Sequence, residues 1–526
     1  MSLVRSVATV GGYTGISRIL GFVRDIIIAN VVGASPVADA FFAAFRLPNL
    51  FRRLFAEGAF NAAFVPLFAR RLEQEGEAAA RRFAQEALSL LVSALLVITA
   101  LCMAGMPWFI YLIGSGFSQD PEKLALAVDL TRITFPYLLF MAVVALLSGI
   151  LNSLYRFAAA AAAPILLNVI FIAALVAVLP FFAEVPGHVM AWAVCVSGAA
   201  QLLFLVVAAR RAGMALRFPR PRLTPAVKRL MALMLPGMLS AGALQINIFV
   251  GSSIASWQEG AFSFLYYADR VYQLPLGLIG IAIGIVLLPD LARKLRSGAE
   301  GQAMHSLNRG LEFALLLTLP ATVALIVIAG PVIGGLFQHG RFGAADAAAT
   351  AAALTAFAWG LPAYVLVKIL QPAFYAREDT VTPFRYSVVS VLANILLSLL
   401  LFWQLRHVGI ALATALAAWL NTVLLALSLR RFGFCHLDDR FRARLPRILF
   451  ASAGMGAALW TVQLGTDRWL ADSFVERAGA LAILVAVGLI VYAGLAVGLG
   501  AVVRGDLAGA LRRAPRPAPE AVPPAD

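Results

Sequence analysis

Two stretches of the chain that are otherwise apolar carry eight ionised side chains. Arg18, Arg24 and Asp25 fall in residues 5–31, and Asp39, Arg46, Arg52, Arg53 and Glu57 in residues 37–66. Asp39, Arg46 and Arg53 are spaced by seven, and Glu57 follows Arg53 by four. On a continuous helix these four share a face. Arg18 and Asp25 repeat the spacing of seven. Five arginines face three acids, which leaves positive charge in surplus. A guanidinium stays ionised when partly buried and offers a rigid fork of donors that suits phosphate. The chemistry this predicts is reception of an anion, a phosphate or pyrophosphate, with no covalent step. Arg46, Asp25 and Glu57 are also the residues best suited to structural pairing between helices. Pro48 predicts a break or kink in the second stretch, and broken helices lining a cavity are typical of transport sites.

A third charged stretch, Tyr267-Ala268-Asp269-Arg270-Val271-Tyr272-Gln273-Leu274-Pro275, offers Arg270 as an opposite wall. Spacing alone allows Asp269 and Arg270 to satisfy each other equally well. Lys368 reads as satisfied by a polar neighbour and Arg132 as lying at an interface. No HExxH or other metal-ligand spacing occurs. Cys102, Cys195 and Cys435 form no close-spaced motif, and the first two read as small buried hydrophobes. The clustered acids or histidines that an enzyme acting on polyprenyl phosphates needs are missing, so no catalytic residue is assigned.

The elements that must hold these charges are membrane helices. Of 526 residues, 61% are hydrophobic and 13% charged, with mean hydropathy +0.88, whereas soluble domains are about a quarter charged. Apolar runs long enough to cross about 30 Å of hydrocarbon recur along the chain. They predict an all-α polytopic protein of about fourteen spans, near 5–31, 37–66, 84–114, 124–150, 157–182, 187–209, 230–257, 261–291, 310–337, 347–375, 383–404, 408–429, 447–465 and 476–502. The first is long and charged, so it reads as a retained helix and not a cleaved signal. Each charge at bilayer depth costs about 2.5–3.5 kcal/mol, so those in the first two spans must face water or one another. The net charge of +15 does not point to nucleic acid. With the N-terminus inside, 29 Lys/Arg fall in cytoplasmic positions, 5 on the opposite side (Lys123 among them) and 8 within spans. That asymmetry places both termini in the cytoplasm.

The chain also repeats. Val65-Pro66-Leu67-Phe68-Ala69-Arg70-Arg71-Leu72 matches Leu288-Pro289-Asp290-Leu291-Ala292-Arg293-Lys294-Leu295. Pro48 matches Pro275, and Tyr155-Arg156 matches Tyr375-Ala376-Arg377, at offsets of 223, 227 and 220 residues. The reading is a six-helix lobe at 1–210, a basic cytoplasmic linker at 211–229, and a second six-helix lobe at 230–431. Two extra helices follow at 432–503, and a disordered tail rich in Pro, Ala and Arg at 504–526. Repeated halves with a site between them are the common plan of secondary transporters. The last two spans carry no charge at depth and either pack against lipid or form a groove for a lipid chain.

The charged stretches resemble the MurJ/MviN family of lipid II flippases, within the MOP superfamily of exporters. Ser17 to Asp25, Ala38 to Phe42, Arg46 to Phe60, Tyr267 to Arg270 and Phe374 to Pro383 carry the resemblance, which extends to about residue 505. It implies a multi-pass protein of the bacterial inner (plasma) membrane with two pseudo-symmetric six-helix lobes. Two C-terminal helices would form a groove for an undecaprenyl tail. The implied activity is movement of the undecaprenyl-pyrophosphate-linked disaccharide-peptide to the periplasmic leaflet by alternating access, for peptidoglycan and cell-wall synthesis. Arg18, Arg24, Arg52, Arg53 and Arg270 would engage the pyrophosphate and head group. Asp39 would organise the cavity, and Asp25 would pair with an arginine when a gate closes. Arg46, Glu57 and Asp269 complete the cavity and gating set. Implied partners are the bilayer and the cell-wall synthesis machinery; no cofactor is expected. Sodium-coupled members carry an acid in the seventh span, but residues 230–257 hold Gln245 and Asn247 with no Asp or Glu, and Asn394 lies in the eleventh. Na+, H+ and the membrane potential all stay open as the drive. The alternative is a related exporter of another polyprenyl-linked oligosaccharide or of a drug-like cation, and the latter should show surplus acid in its cavity.

Overall fold

A computed structural model describes residues 3–52, 59–434, 436–466 and 473–502. All regular elements among them are helices. The first half contributes α1 (Leu3–Val32), α2 (Pro36–Arg52), α3 (Ala59–Gln74), α4 (Glu77–Ala104), α5 (Met106–Ile113), α6 (Pro121–Thr134), α7 (Tyr137–Ser153), α8 (Phe157–Ala173) and α9 (Pro186–Arg211). The second contributes α10 (Pro225–Ala255), α11 (Ala261–Arg296), α12 (Glu300–Val327), α13 (Ala329–Phe337), α14 (Ala344–Ala358), α15 (Leu361–Tyr375) and α16 (Val381–Arg431). α17 (Asp439–Thr466) and α18 (Phe474–Gly498) follow. Nine of the described helices, some taken across a kink, are long and apolar enough to cross a membrane. α1, α10 and α11 are as long, at 30, 31 and 36 residues.

Local sequence sets the ends. Asp120 caps α6 by accepting from the N–H groups of Glu122 and Lys123, with Pro121 in the first turn. Thr224 and Pro225 do the same for α10. α16 is two helices: Arg406 leaves helical geometry at φ 52°, and a Cβ on Gly409 would lie 2.6 Å from Leu401 O. A glycine is required where the chain doubles back so closely. The two arms correspond to the spans expected at 383–404 and 408–429.

The internal repeat is visible in the backbone. α4 and α12 are both 28 residues long, starting at Glu77 and Glu300. Each is followed by a short helix, α5 of 8 residues and α13 of 9. Gly33 and Gly260 take positive φ, 62° and 77°, at the turns into α2 and α11. Gly213 and Gly433 do so after α9 and α16, at 83° and 73°. There the N–H of Met214 reaches Ala209 O at 2.9 Å and that of Phe434 reaches Leu429 O at 2.8 Å, the backbone bond that closes a helix with a left-handed residue.

Successive turns alternate between two ends of the molecule. One is basic, with Arg70, Arg71, Arg156, Arg210, Arg211, Arg293, Arg430 and Arg431. The other, around Gly33, Gly260 and Arg341, carries few basic residues and several acids, Asp120, Glu122, Glu259 and Asp346 among them. An aromatic stack, Phe60–Phe64 at 5.2 Å and Phe64–Phe83 at 5.5 Å, joins α3 to α4. α17 packs on α12 and α18. An apolar groove of about 530 Å³ runs along α18, walled by Ile26 of α1 and by Gly335 and Leu336 of α13.

Candidate functional site

At the end around Gly33 and Gly260 the two halves are sealed together. Asp39, at 0% exposure, accepts from Lys123 Nζ at 2.9 Å, Gly260 N at 2.8 Å, Ser263 N at 3.1 Å and Ser263 Oγ at 2.8 Å. One acid in the first half thus meets one cation of its own half and three neutral donors of the other. Nearby, Arg341 N donates to Asn30 O at 2.9 Å, Gly116 N donates to Ser256 Oγ at 2.8 Å, and the Ser115 and Ser253 hydroxyls lie 2.8 Å apart. A Cβ on Gly116 would come within 2.5 Å of Ser256 backbone, so this seam is tight.

Below the seam, toward the basic end, lies a cavity of about 500 Å³. Its wall at the seam side is Arg24 and Asp25 of α1. Arg24 is 5% and Asp25 1% exposed. Asp25 Oδ1 accepts from Arg24 Nη2 at 2.7 Å and from Tyr266 OH at 3.1 Å, while Oδ2 lies 2.9 Å from Arg270 Nε. Arg24 Nη1 also donates to Asn168 Oδ1 at 3.2 Å, and Asn168 in turn donates to Ser17 O at 2.9 Å. Arg270 Nη2 donates to Tyr266 OH at 2.8 Å and its guanidinium sits 4.8 Å from that ring. Phe42 stacks on Tyr266 at 4.0 Å and fixes it.

Two more cations line the same space: Arg18 of α1 and Lys368 of α15. Arg18 is six residues from Arg24 on α1, about 9 Å along the helix. It fits because residue 277 has no side chain; a Cβ there would lie 2.5 Å from Arg18 Nη1. Among the described residues no acid pairs with Arg18 or Lys368. Among the described residues that line the cavity, four cations therefore face one carboxylate, a surplus of three positive charges. A cavity so built binds anions, and its arginine forks favour phosphate oxygens.

The profile of the family described as "Lipid II flippase MurJ" matches residues 28–479. The chain belongs to that family. A probable lipid II flippase MurJ of Rhizobium tropici is 46% identical over 99% of this chain and 98% of its own length. The lipid II flippase MurJ of Burkholderia cenocepacia is 37% identical over 90% and 91%. In fold, the chain is similar to a lipid II flippase MurJ solved in an inward closed conformation, with TM-score 0.76 at 24% identity over 93% of this chain and 97% of that one. It is also similar to an inward-facing MATE transporter of the MOP superfamily, with TM-score 0.66 at 15% identity over 79% and 94%.

The structure distributes the residues singled out in this MurJ-family sequence over two places. Arg18, Arg24, Asp25 and Arg270 come together in the cavity. Asp39 does not line it; it sits in the seam. Arg46 faces the second half as well, donating to Ser252 Oγ and lying 5.3 Å from the Phe262 ring, so Asp39 and Arg46 share a face as their spacing predicts. Arg270 turns to Asp25 and Tyr266, and Asp269 accepts from the Gln273 amide. The side chain of Arg52, and Arg53 and Glu57 entirely, lie outside the described residues. Pro48 lies within α2, which is described as helical to Arg52.

Several participants escaped the sequence reading. Lys368 was visible as a charge in an apolar run, but assigning it to a polar neighbour hid its place in the cavity. Lys123 was counted as a loop charge and is instead 7% exposed against Asp39. Tyr266, Asn168 and Ser263 gave no sequence signal beyond being polar groups in apolar surroundings. Asn394 of α16 donates to Asn247 Oδ1 of α10 at 2.8 Å, which joins the two neutral groups noted in the seventh and eleventh expected spans.

Proposed function

We propose that the chain flips lipid II, the undecaprenyl-pyrophosphate-linked peptidoglycan precursor, from the cytoplasmic to the periplasmic leaflet. The observation that supports this most is the surplus of three cations beneath a sealed seam. It gives the pyrophosphate a place to exchange hydration for guanidinium and ammonium donors without exposing it to hydrocarbon. In this reading the basic end is cytoplasmic, the helices make fourteen passes with both termini inside, and the halves 1–210 and 230–431 are the rocking lobes. The cavity then faces inward with the periplasmic side shut. The apolar groove beside α18 holds the polyprenyl tail while the head group occupies the cavity.

Asp25 acts as a resident counter-ion. In the empty site it neutralises Arg24 and Arg270 and spares two buried like charges from facing each other. An entering pyrophosphate takes over those donors, which frees Asp25 and loosens the contact between α1 and α11. Opening of the far side then requires the Asp39 seam to part, since Gly260 and Ser263 belong to the other lobe. Alternating access of this kind needs only differential binding in the two states. The membrane potential favours outward passage of an anionic head group by about 2.3 kcal/mol per charge per 100 mV.

The test is a flipping assay on protein reconstituted with lipid II. Arg24→Ala and Arg270→Ala should each cut translocation at least about tenfold while leaving the protein folded, and full activity in both removes the reading. In cells, depletion should accumulate lipid II on the cytoplasmic leaflet. Accumulation of a different polyprenyl-linked oligosaccharide would transfer the proposal to that substrate.

A further inference from the structure

A second cavity, of about 640 Å³, lies away from the charged site and opens on the outer face of the helix bundle. It sits at the end of α10, where Phe249, Val250 and Ile254 form its floor. Leu399 and Trp403 of the first arm of α16 form one wall, and Leu112 of α5 forms the other. Its rim is exposed: Leu112 is 62%, Ile246 54% and Trp403 74% accessible. The α16 arm continues this face with exposed Leu392, Leu396 and Leu400, an apolar stripe that a membrane protein turns toward hydrocarbon. The groove is polar only at its top. There Trp257 Nε1 donates to Ser115 Oγ at 2.9 Å, and Ser115 meets Ser253 at 2.8 Å. Indole rings with an apolar body and a bonded N–H mark the level where hydrocarbon gives way to head groups.

Apolar walls without unsatisfied donors do not retain water, and the only medium along this face is lipid. We infer that the groove holds one acyl chain of a phospholipid in the leaflet at the Gly260 end, with Trp257 and Trp403 at its head-group level. The groove is continuous with the seam between the halves, because its Leu112 wall and Ser115 come from the first half and the remainder from the second. It therefore exists in full only while that end is sealed, and a bound chain favours the sealed state by mass action. This site is independent of what the charged cavity carries.

The experiment uses the full chain in proteoliposomes containing phosphatidylethanolamine with a diazirine in its acyl chain. Photolabelled positions are mapped by mass spectrometry. Adducts on Ile246, Phe249, Val250 and Leu399 should exceed those on Leu392, Leu396 and the exposed Phe450 of α17 several-fold. Val250→Trp, or Leu399→Trp should the first variant fail to fold, should bring that ratio to one. A ratio near one in the parent protein, or an unchanged ratio in a folded variant, overturns the site. So does crosslinking of the groove to a second copy of the chain. The linkage is read separately, in a background without native cysteines. With copper–phenanthroline and oxygen as the oxidant, palmitate added to detergent-solubilised Ser115→Cys/Ser253→Cys protein should speed disulfide formation between those positions, and an unchanged rate overturns the linkage.

Discussion

The seam around Asp39 and the cavity around Asp25 are built from the same materials and balanced differently. Each centres on one buried carboxylate contributed by the first half, and each reaches across to the second. In the seam, Asp39 meets a single lysine and three neutral donors, so the charge closes to zero and every acceptor position is filled. In the cavity, Asp25 serves two arginines while Arg18 and Lys368 stand nearby. Neutral, saturated clusters hold parts together. A cluster left with net charge, in space that water reaches, is held ready for a counter-ion that the protein does not itself supply.

The largest effect should come from breaking the balanced site. Asp39→Ala strands the Lys123 ammonium and three further donors in the core. Removing one partner of a buried pair costs about 3–5 kcal/mol, so the variant should lose most of its folded yield and melt far lower in detergent. Pairing it with Lys123→Met should recover part of the loss, because the stranded charge is then gone. If Asp39→Ala proves as stable as the parent and Arg24→Ala does not, the assignment of lock and receptor is reversed.

Arg270→Ala tests the unbalanced site. Asp25 keeps its bonds to Arg24 and Tyr266, so stability should change little. Loss of a charge-assisted contact to phosphate is worth about 1.5–3 kcal/mol, and each 1.4 kcal/mol is tenfold. Flipping should therefore fall by roughly 10- to 100-fold. Arg270→Lys should not restore it, since one ammonium cannot both face Asp25 and present a planar fork. Equal losses of melting temperature in Arg270→Ala and Asp39→Ala would erase the contrast.

The fold and the cavity differ in how much of them the chain reveals by itself. The all-helical plan was legible because hydrocarbon demands long apolar runs, and the repeat because Val65–Leu72 and Leu288–Leu295, Pro48 and Pro275, and Tyr155 and Tyr375 recur at near-constant offsets. Arg18, Arg24, Asp25 and Arg270 were legible because a charge at bilayer depth needs a reason. What stayed hidden were pairings made by packing. Asp39 and Arg18 look alike in sequence, as isolated charges in apolar helices. Only the approach of α6 and α11 shows that one is saturated and the other is not. Lys123 is the clearest instance: α6 begins at the membrane edge, so its first turn reads as a loop until the helix is seen folded inward over Asp39.

A smaller effect should separate occupancy from stability at Arg18. Gly277→Ala puts a methyl group where Arg18 Nη1 now lies, 2.5 Å from the new carbon. The arginine head is the free end of a long side chain and moves aside cheaply. Alanine within a helix is better than glycine by about 0.8–1 kcal/mol. The variant should therefore melt at or slightly above the parent temperature while its affinity for lipid II drops a few-fold. A lower melting temperature with unchanged affinity would show that residue 277 serves packing and not the receptor.

The smallest effect lies outside the membrane spans, where a balanced cluster can be titrated. Asp438 precedes α17 and accepts from Phe441 N at 2.7 Å, a capping bond, and from Arg309 of α12. Burial pushes its carboxyl upward, but the Phe441 N–H and the Arg309 guanidinium outweigh it and hold the group below its usual value of 3.8. Because the folded value is depressed, the stabilisation is complete above the usual carboxylate range and is lost as pH falls through the folded value. Hydrogen exchange at Phe441 and Arg442 should thus be constant from neutral pH down to about 4, after correction for intrinsic rates, and show lost protection below it. Asp438→Asn keeps the cap and loses the partly exposed ion pair with Arg309, so it should cost about 0.2–1 kcal/mol at neutral pH, with the acid-induced step removed and the Asp39 seam untouched. Persistence of the step in that variant would show that the Asp438 carboxylate does not carry it.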